Sequence, residues 1–262
     1  MNRKRMQAVT AVVVAVLAIT FFLRLARKTH EDADRSRCKN NLRSLCLGIH
    51  NYASANNDRF PRAHFGKGEL APEECLSWLF EIDPFIHSRM DPEWTRYRHE
   101  SWGSENNLRL ARQRNIWVNC PGAVASQAVE GFTLTHYVGV LGVGPRSGRS
   151  AVGDPRAGAF QHERWVKYRD VQDTTEATIA IIETGLDNGP WMAGGRPTTR
   201  FLDENEFEPL GEGRQFGGLH RDCVNVAMLD GSSRTLRLPF DRNRLAAFFT
   251  IAGGEADHSI PE

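Results

Sequence analysis

The residues of this sequence best placed to do chemistry are His220 and Asp230. A histidine and an aspartate could bind a metal ion together or act as a general acid–base pair. Residues 224–229 lie between them and alternate in a way that predicts a strand. Because a strand rises about 3.3 Å per residue, we expect the two side chains to lie about 20 to 30 Å apart. We therefore favour a structural role, in which Asp230 and Gly231 form a hairpin turn and His220 caps a loop.

A second set of candidate ligands is an acidic run that consists of Asp203, Glu204, Glu206 and Glu208. Calcium takes six to eight oxygen ligands from carboxylates and carbonyls, and this run offers several of them. The same composition is typical of a solvated loop, which is the interpretation that we favour. The sequence therefore predicts no cofactor, with Ca²⁺ as the alternative.

One aromatic residue is a candidate for a ligand-binding surface. Trp191 follows Gly189 and Pro190, and a tryptophan beside a turn can stack on a ligand. An aromatic side chain packed beside the turn explains the same pattern, and we favour it. Trp191 and the acidic run are the support for an alternative function, an anchored extracytoplasmic module that binds a glycan, a peptide or a metal.

Two further kinds of catalytic site are disfavoured by their surroundings. The glycines at positions 139, 142 and 144 are not followed by the Lys-Ser/Thr pair and helix start of a phosphate-binding loop. Ser232 and Ser233 do not lie in a G-x-S-x-G frame. We therefore predict no catalytic residues and no enzymatic activity.

The five cysteines are Cys38, Cys46, Cys75, Cys120 and Cys223. Their spacings match no zinc-binding pattern, because even the nearest two are far from C-x2-C. A pair of cysteines in an exported compartment would oxidise to a disulfide. The sequence leaves the pairing open, and the odd number means that one thiol stays free or links two chains.

Composition and charge exclude several classes of protein. The chain has 262 residues, of which 40% are apolar, and this is enough to build a sizeable core. The 33 basic and 32 acidic residues leave a net charge of +1. A balance this close to neutral gives no global tendency to bind nucleic acid.

The most informative element that could position these residues is at the N-terminus. Residues 6–23 follow a basic tail, 1–5, and contain no charged side chain. Their length is about the minimum for a membrane-spanning helix. A cleaved signal peptide has a similar start, but no small-residue cleavage site follows, and the stretch continues into Arg24, Arg27 and Lys28. We predict an uncleaved single-pass anchor in the cytoplasmic membrane, with the tail inside and the head in the periplasm.

Helical periodicity continues beyond this anchor. Leu42, Leu45 and Ile49 recur at steps of three and four residues, and no proline occurs between residue 6 and residue 57. The sequence therefore predicts that residues 24–57 extend the N-terminal helix and pack on a globular head, residues 58–262.

The sequence of the head predicts a mixture of short helices and strands. Its best-defined element is a hairpin over 224–238, with the turn pair Asp-Gly at its centre. We predict a helix over 75–86 that ends near Pro84, and strands over 112–121, 132–144 and 177–185. These elements predict an α+β head with a mostly antiparallel sheet.

Several segments together resemble a known family. They are, in order, residues 38–61 (CKNNLRSLCLGIHNYASANNDRFP), 77–86, 119–121, 135–142, 158–160, 169–185 and 189–191. With His220, Asp230 and Gly231 as a His-x9-Asp-Gly signature, they resemble the pseudopilin-like proteins called domain of unknown function 1559. This resemblance covers residues 1 to about 240.

The resemblance implies a type IV pilin-like architecture, in which a long N-terminal helix is rooted in the membrane and carries an exported α/β head. It also implies pilin-like or secretion-apparatus proteins as partners. The sequence departs from the pilin pattern at one place, because no glycine precedes the apolar stretch and no acidic residue lies between Met1 and Phe22. A pilin's glutamate pairs with a neighbouring N-terminus in the apolar zone. We therefore predict a non-enzymatic, uncleaved relative with a structural or assembly role at the cell envelope.

Overall fold

The N-terminal helix dominates the computed structural model, which describes residues 3–66, 70–87, 96–113, 115–123, 128–129 and 131–254. Helix α1 spans Arg3–Ala55 without interruption, which confirms the long N-terminal helix. Every residue from 11 to 30 is exposed, whereas Cys38, Leu42 and Leu45 are buried. The helix thus consists of an exposed arm, residues 11–30, and a part that belongs to the head.

The structure bears on the predicted membrane anchor in one respect. Within the described residues, no helix has both the length and the apolar character required to cross a membrane. The structure does not describe residues 1 and 2 of the predicted tail, 1–5. It also does not describe several side chains of the predicted anchor, 6–23.

Short elements make up the rest of the described residues. The further helices are α2 (Trp78–His87), α3 (Glu105–Ala111) and α4 (Arg242–Phe248). The strands are β1 (His64–Phe65), β2 (Leu76–Ser77), β3 (Ala128–Val129), β4 (Phe132–Thr133), β5 (Tyr137–Val143), β6 (Ile179–Glu183), β7 (Thr199–Leu202), β8 (Cys223–Met228) and β9 (Ser233–Arg237). The strands predicted within 132–144 and 177–185 are therefore present.

Five strands form the central sheet in the order β7-β5-β6-β8-β9. Strand β5 is parallel to β7, and the three other pairings are antiparallel. The architecture is thus α+β with a mostly antiparallel sheet, as predicted from the sequence.

The buried part of α1 packs on one face of this sheet, against β6, β8 and β9. Two hydrogen bonds fix it to the hairpin: Cys46 Sγ donates to Met228 O (3.2 Å), and His50 Nε2 donates to Leu229 O (2.8 Å). Helix α4 contributes to a second apolar core that includes Val226. The sheet is therefore covered on both faces.

The predicted hairpin is confirmed. Strand β8 pairs with β9 in a register that places Val224 opposite Leu236. Gly231 has a φ of 91°, a left-handed conformation that favours glycine. Asp230 Oδ1 accepts a hydrogen bond from the backbone N–H of Ser232 (2.8 Å), which stabilises the turn.

Two local predictions were wrong. Helix α2 does not end near Pro84 but continues to His87, since Ile86 packs against α1 at Gly48, where an added Cβ would lie 2.6 Å from its Cγ1. The described residues of 112–121, which are all except 114, contain no strand, because Asn115 caps a 3₁₀ turn by accepting a hydrogen bond from the backbone N–H of Trp117 (3.1 Å).

Candidate functional site

A buried cluster of polar side chains lies where α1 meets the head. A disulfide joins Cys38 of α1 to Cys120, with the two Cα atoms 5.4 Å apart and 82 positions apart in sequence. Next to it lie His220, Glu183 at the end of β6, and Glu31 of α1. We call these five residues the His220 cluster.

The imidazole of His220 connects the members of the cluster. Its side chain is 0% exposed. Nδ1 lies 3.2 Å from Glu31 Oε1, and Nε2 lies 3.4 Å from Cys120 Sγ and 3.8 Å from Glu183 Oε2. Burial lowers the pKa of His220, although the hydrogen bond to Glu31 acts in the opposite direction. Burial therefore disfavours the charged form of the ring.

Glu183 is a fully buried carboxyl group, and both of its oxygens are used by one neighbour. Oε1 accepts a hydrogen bond from the backbone N–H of Asn225 (2.8 Å), and Oε2 accepts one from Asn225 Nδ2 (3.0 Å). Asn225 Oδ1 in turn accepts from Thr235 Oγ1 (2.9 Å). Burial raises the pKa of Glu183 to about 8. The network fixes β6, β8 and β9 to one another beneath α1.

This geometry makes Glu183→Gln a damaging substitution despite its similar shape. Both acceptors face donors on Asn225, so a glutamine would direct its amide N–H₂ at one of them. We expect the free energy of unfolding to fall by about 1–3 kcal/mol, the cost of an unsatisfied buried polar group. Urea titration of the variant measures it. The matched control is Glu163→Gln, at a side chain 75% exposed, and equal losses in the two variants would contradict the prediction.

His220 and Asp230 lie in different side-chain environments. His220 belongs to the buried cluster, whereas the Asp230 carboxylate accepts a hydrogen bond from the turn that it forms with Gly231. The two residues have different partners. The residues that accompany His220 instead come from α1, from the segment at Cys120 and from β6.

The structure places Trp191, the candidate ligand-binding residue, in the interior of the head. This residue is 2% exposed and belongs to the main apolar core. Its carbonyl accepts a hydrogen bond from Ser77 Oγ (2.6 Å), which joins it to the end of β2. Since the ring faces the core, it offers no ligand-binding surface.

Arg214 and Arg242 contact the acidic run. Arg214 lies 2.6 Å from a Glu208 carboxylate oxygen and 3.7 Å from one of Glu206. Arg242 donates hydrogen bonds to three backbone carbonyls of the run, those of Asp203, Glu204 and Glu206. Guanidinium groups therefore already contact carboxylate and carbonyl oxygens that a calcium ion would use.

A different group has the geometry of a metal site. Over the described part of the chain, Cys38, Cys120 and His220 are the single set of histidine, cysteine or acidic residues whose ligand atoms all lie within 4.8 Å of one another. Local spacing could not reveal this set, because its members come from three separate segments. The one local signal is that Cys38 precedes Leu42 and Leu45 on the same face of α1, which predicts a cysteine that faces the head.

A cleft of about 210 Å³ on another part of the head is lined by Glu73, His162, Arg196, Arg200 and other residues. The two arginines already have partners. Arg196 forms an ion pair with Asp187 (2.8 Å), and Arg200 donates to backbone carbonyls and to a threonine hydroxyl. The cleft can hold a small polar molecule, but its two arginine side chains already bind other groups of the protein.

A histidine pair beside this cleft predicts a loss of stability in acid. Burial lowers the pKa of His64 from 6.5 to about 4, and His162, whose ring centre is 5.0 Å away, adds to the effect. Between these two values the unfolded chain binds a proton that the folded chain does not. The stabilisation is therefore complete above pH 6.5 and is lost as the pH falls toward 4. Urea titrations at several pH values measure the pH dependence of the free energy of unfolding, and we expect His64→Gln to weaken it. The control His99→Gln, at an exposed position, should leave this dependence unchanged. Identical curves for the two variants would contradict the assignment.

Comparison with known proteins gives one match. A family model described as "Protein of unknown function (DUF1559)" matches residues 27–206. No significant similarity to a curated protein or to a solved structure is found. The matched region contains the buried part of α1 and strands β1 to β7 in chain order.

Proposed function

We propose that this chain, which belongs to the family described as "Protein of unknown function (DUF1559)", is a non-enzymatic, membrane-anchored protein of pseudopilin-like architecture. Its role in this proposal is structural or assembly-related at the bacterial cell envelope. The observation that carries the proposal is the division of α1 into an exposed arm, residues 11–30, and a buried part, from Cys38 to Ala53.

The exposed arm is rich in apolar side chains, as expected of a helical segment that is covered by lipid or by another protein. Its apolar side chains are 50–65% exposed; they are Val12, Val13, Val14, Val16, Leu17, Ile19, Phe21, Phe22, Leu23 and Leu25. Contiguous apolar surface of this extent is unfavourable in water and marks a site of membrane or protein association. At 1.5 Å per residue, the 18 uncharged positions 6–23 of α1 extend about 27 Å, close to the thickness of a bilayer core.

We propose that residues 6–23 contact membrane lipid and that the head faces the periplasm. Arg24, Arg27 and Lys28 follow this stretch and would lie at the interface, where basic side chains reach the headgroups. The head itself, with its two apolar cores buried on both faces of the sheet, needs no lipid.

The partition of the full chain between membrane and soluble fractions tests the anchor. We expect the chain to sediment with membranes and to require detergent for release. The variant Val14→Lys/Leu17→Lys should move to the soluble fraction, because each lysine at the centre of a membrane helix costs about 3 kcal/mol. Leu47→Lys changes an apolar residue that is also exposed, at 59%, but lies beyond the arm, and it should leave partition unchanged. A chain that is soluble without detergent would overturn the proposal.

The proposed partners are pilin-like or secretion-apparatus proteins, which would meet the arm within the membrane. The three free cysteines are buried, so Ala18→Cys places a single exposed thiol on the arm. We expect this thiol to crosslink, in intact membranes, to a protein with its own apolar N-terminal helix. Ser54→Cys, at an exposed position near the end of α1, is the control. Arm and control variants that crosslink to the same proteins would argue against assembly through the arm.

The alternative, an anchored module that binds a glycan, a peptide or a metal, has less support. Trp191 is buried, and arginines contact the acidic run. The remaining observation in its favour is the cleft at His162 and Arg196.

A further inference from the structure

We propose that the His220 cluster binds one Zn²⁺ ion when the disulfide is reduced, with Cys38 Sγ, Cys120 Sγ and His220 Nε2 as its protein ligands. This inference concerns the head alone and does not depend on the membrane role proposed above.

The distances within the cluster agree with tetrahedral coordination. Zinc binds sulfur at about 2.3 Å and nitrogen or oxygen at about 2.0–2.2 Å, so neighbouring ligand atoms lie about 3.3–3.8 Å apart. Nε2 of His220 lies 3.4 Å from Cys120 Sγ. The Cys38, Cys120 and His220 ligand atoms all lie within 4.8 Å of one another. A small movement of the two sulfurs, once they are no longer bonded, would therefore place these three ligand atoms around one ion.

The second ring nitrogen of His220 is oriented as in known zinc sites. Its Nδ1 lies 3.2 Å from a Glu31 carboxylate oxygen. A carboxylate at this position accepts the Nδ1 proton and leaves the Nε2 lone pair directed at the metal. Glu31 is 42% exposed and so provides this contact from the edge of the cluster, while the ligands themselves are buried.

The two states of the site exchange by a balanced reaction. A dithiol reductant supplies two electrons and two protons, the Cys38–Cys120 bond breaks, and the reductant becomes a disulfide. Zinc then displaces the two thiol protons, which pass to solvent, and both sulfurs bind as thiolates. The oxidised protein has no thiolate at these positions and therefore no site. In either state α1 stays linked to the segment at Cys120, first by a covalent bond and then through the ion.

Titration with Co²⁺, a spectroscopic substitute for zinc, tests the proposal on the full chain in detergent. We expect the reduced protein, kept free of oxygen, to bind one ion per chain with thiolate charge-transfer bands and the visible spectrum of tetrahedral cobalt, and Zn²⁺ to displace it. The oxidised protein should give no such spectrum. Absence of cobalt binding by the reduced, folded protein would overturn the proposal.

Variants identify the ligands. His220→Ala should weaken cobalt binding at least tenfold and change the spectrum. Because this variant could lose its fold, Glu31→Gln is the second test: at its partly exposed position the fold is kept, and the affinity should fall about 10- to 100-fold. Cys223→Ala, a free buried cysteine next to the cluster in sequence, is the matched control and should bind as the native chain does. Unchanged binding in His220→Ala and Glu31→Gln, or loss of binding in Cys223→Ala, would assign the metal to other residues and refute the site.

Discussion

Replacing Cys38 and Cys120 together by alanine will lower the free energy of unfolding of the head by about 2–5 kcal/mol. The disulfide closes a loop with a sequence separation of 82. A crosslink over a loop of this length restricts the unfolded chain strongly, and on an entropic account its loss approaches the upper end of that range. The loss should be measured by urea titration of the oxidised native chain and of the variant, both in the presence of a metal chelator.

A reductant provides the control for this prediction. Reduction should lower the stability of the native chain by a similar amount and leave the double variant unchanged, because Cys46, Cys75 and Cys223 are free thiols. A native chain whose stability is the same with and without reductant would contradict the expected role of the bond. If the chelator is then replaced by Zn²⁺, the reduced native chain should recover stability and the double variant should not.

The elements that the sequence predicts correctly are those specified by local signals. Helix α1 follows from apolar residues at steps of three and four without a proline, and the β8–β9 hairpin follows from the pair Asp230-Gly231 between alternating strands. In both cases the residues that set the backbone conformation are neighbours in sequence. Their side chains then pack in the direction that the same pattern indicates.

The incorrect predictions depend on contacts between distant segments. Pro84 does not end α2, because Ile86 gains a packing partner at Gly48 on another helix. The apolar residues of the Ile116–Val118 turn resemble a strand in sequence, but the side chain of Asn115 satisfies a backbone N–H and makes the turn possible. Neither the packing partner nor the competing hydrogen bond is encoded in the local periodicity.

The candidate site was accessible to sequence analysis only in part. His220 was identified because it belongs to a motif, but its structural partners are not the other residues of that motif. Cys120 lies 100 positions before it and Glu31 lies 189 positions before it. Only the fold, which brings α1 against the sheet, determines that these side chains meet. The sequence does not determine the disulfide pairing for the same reason.

Leu45→Ala will lower the free energy of unfolding by about 2–5 kcal/mol, whereas Leu47→Ala on the same helix will change it by less than about 0.5 kcal/mol. Leu45 is 1% exposed in the core between α1 and the head, and Leu47 is 59% exposed. Alanine favours the helix at both positions, so the difference isolates the packing of α1 on the head. Equal losses in urea titrations would show that the end of α1 is not packed as described.

The same variant also separates docking from anchoring. Leu45→Ala leaves the arm, residues 11–30, unaltered, so it should still sediment with membranes despite its less stable head. Val14→Lys/Leu17→Lys, whose changes lie in the arm, should leave the membrane while its head keeps native stability, because neither side chain contributes to a core of the head. A single helix would then serve two independent functions along its length. If instead either variant changed both properties, the division of α1 at the boundary between its exposed and buried residues would have to be abandoned.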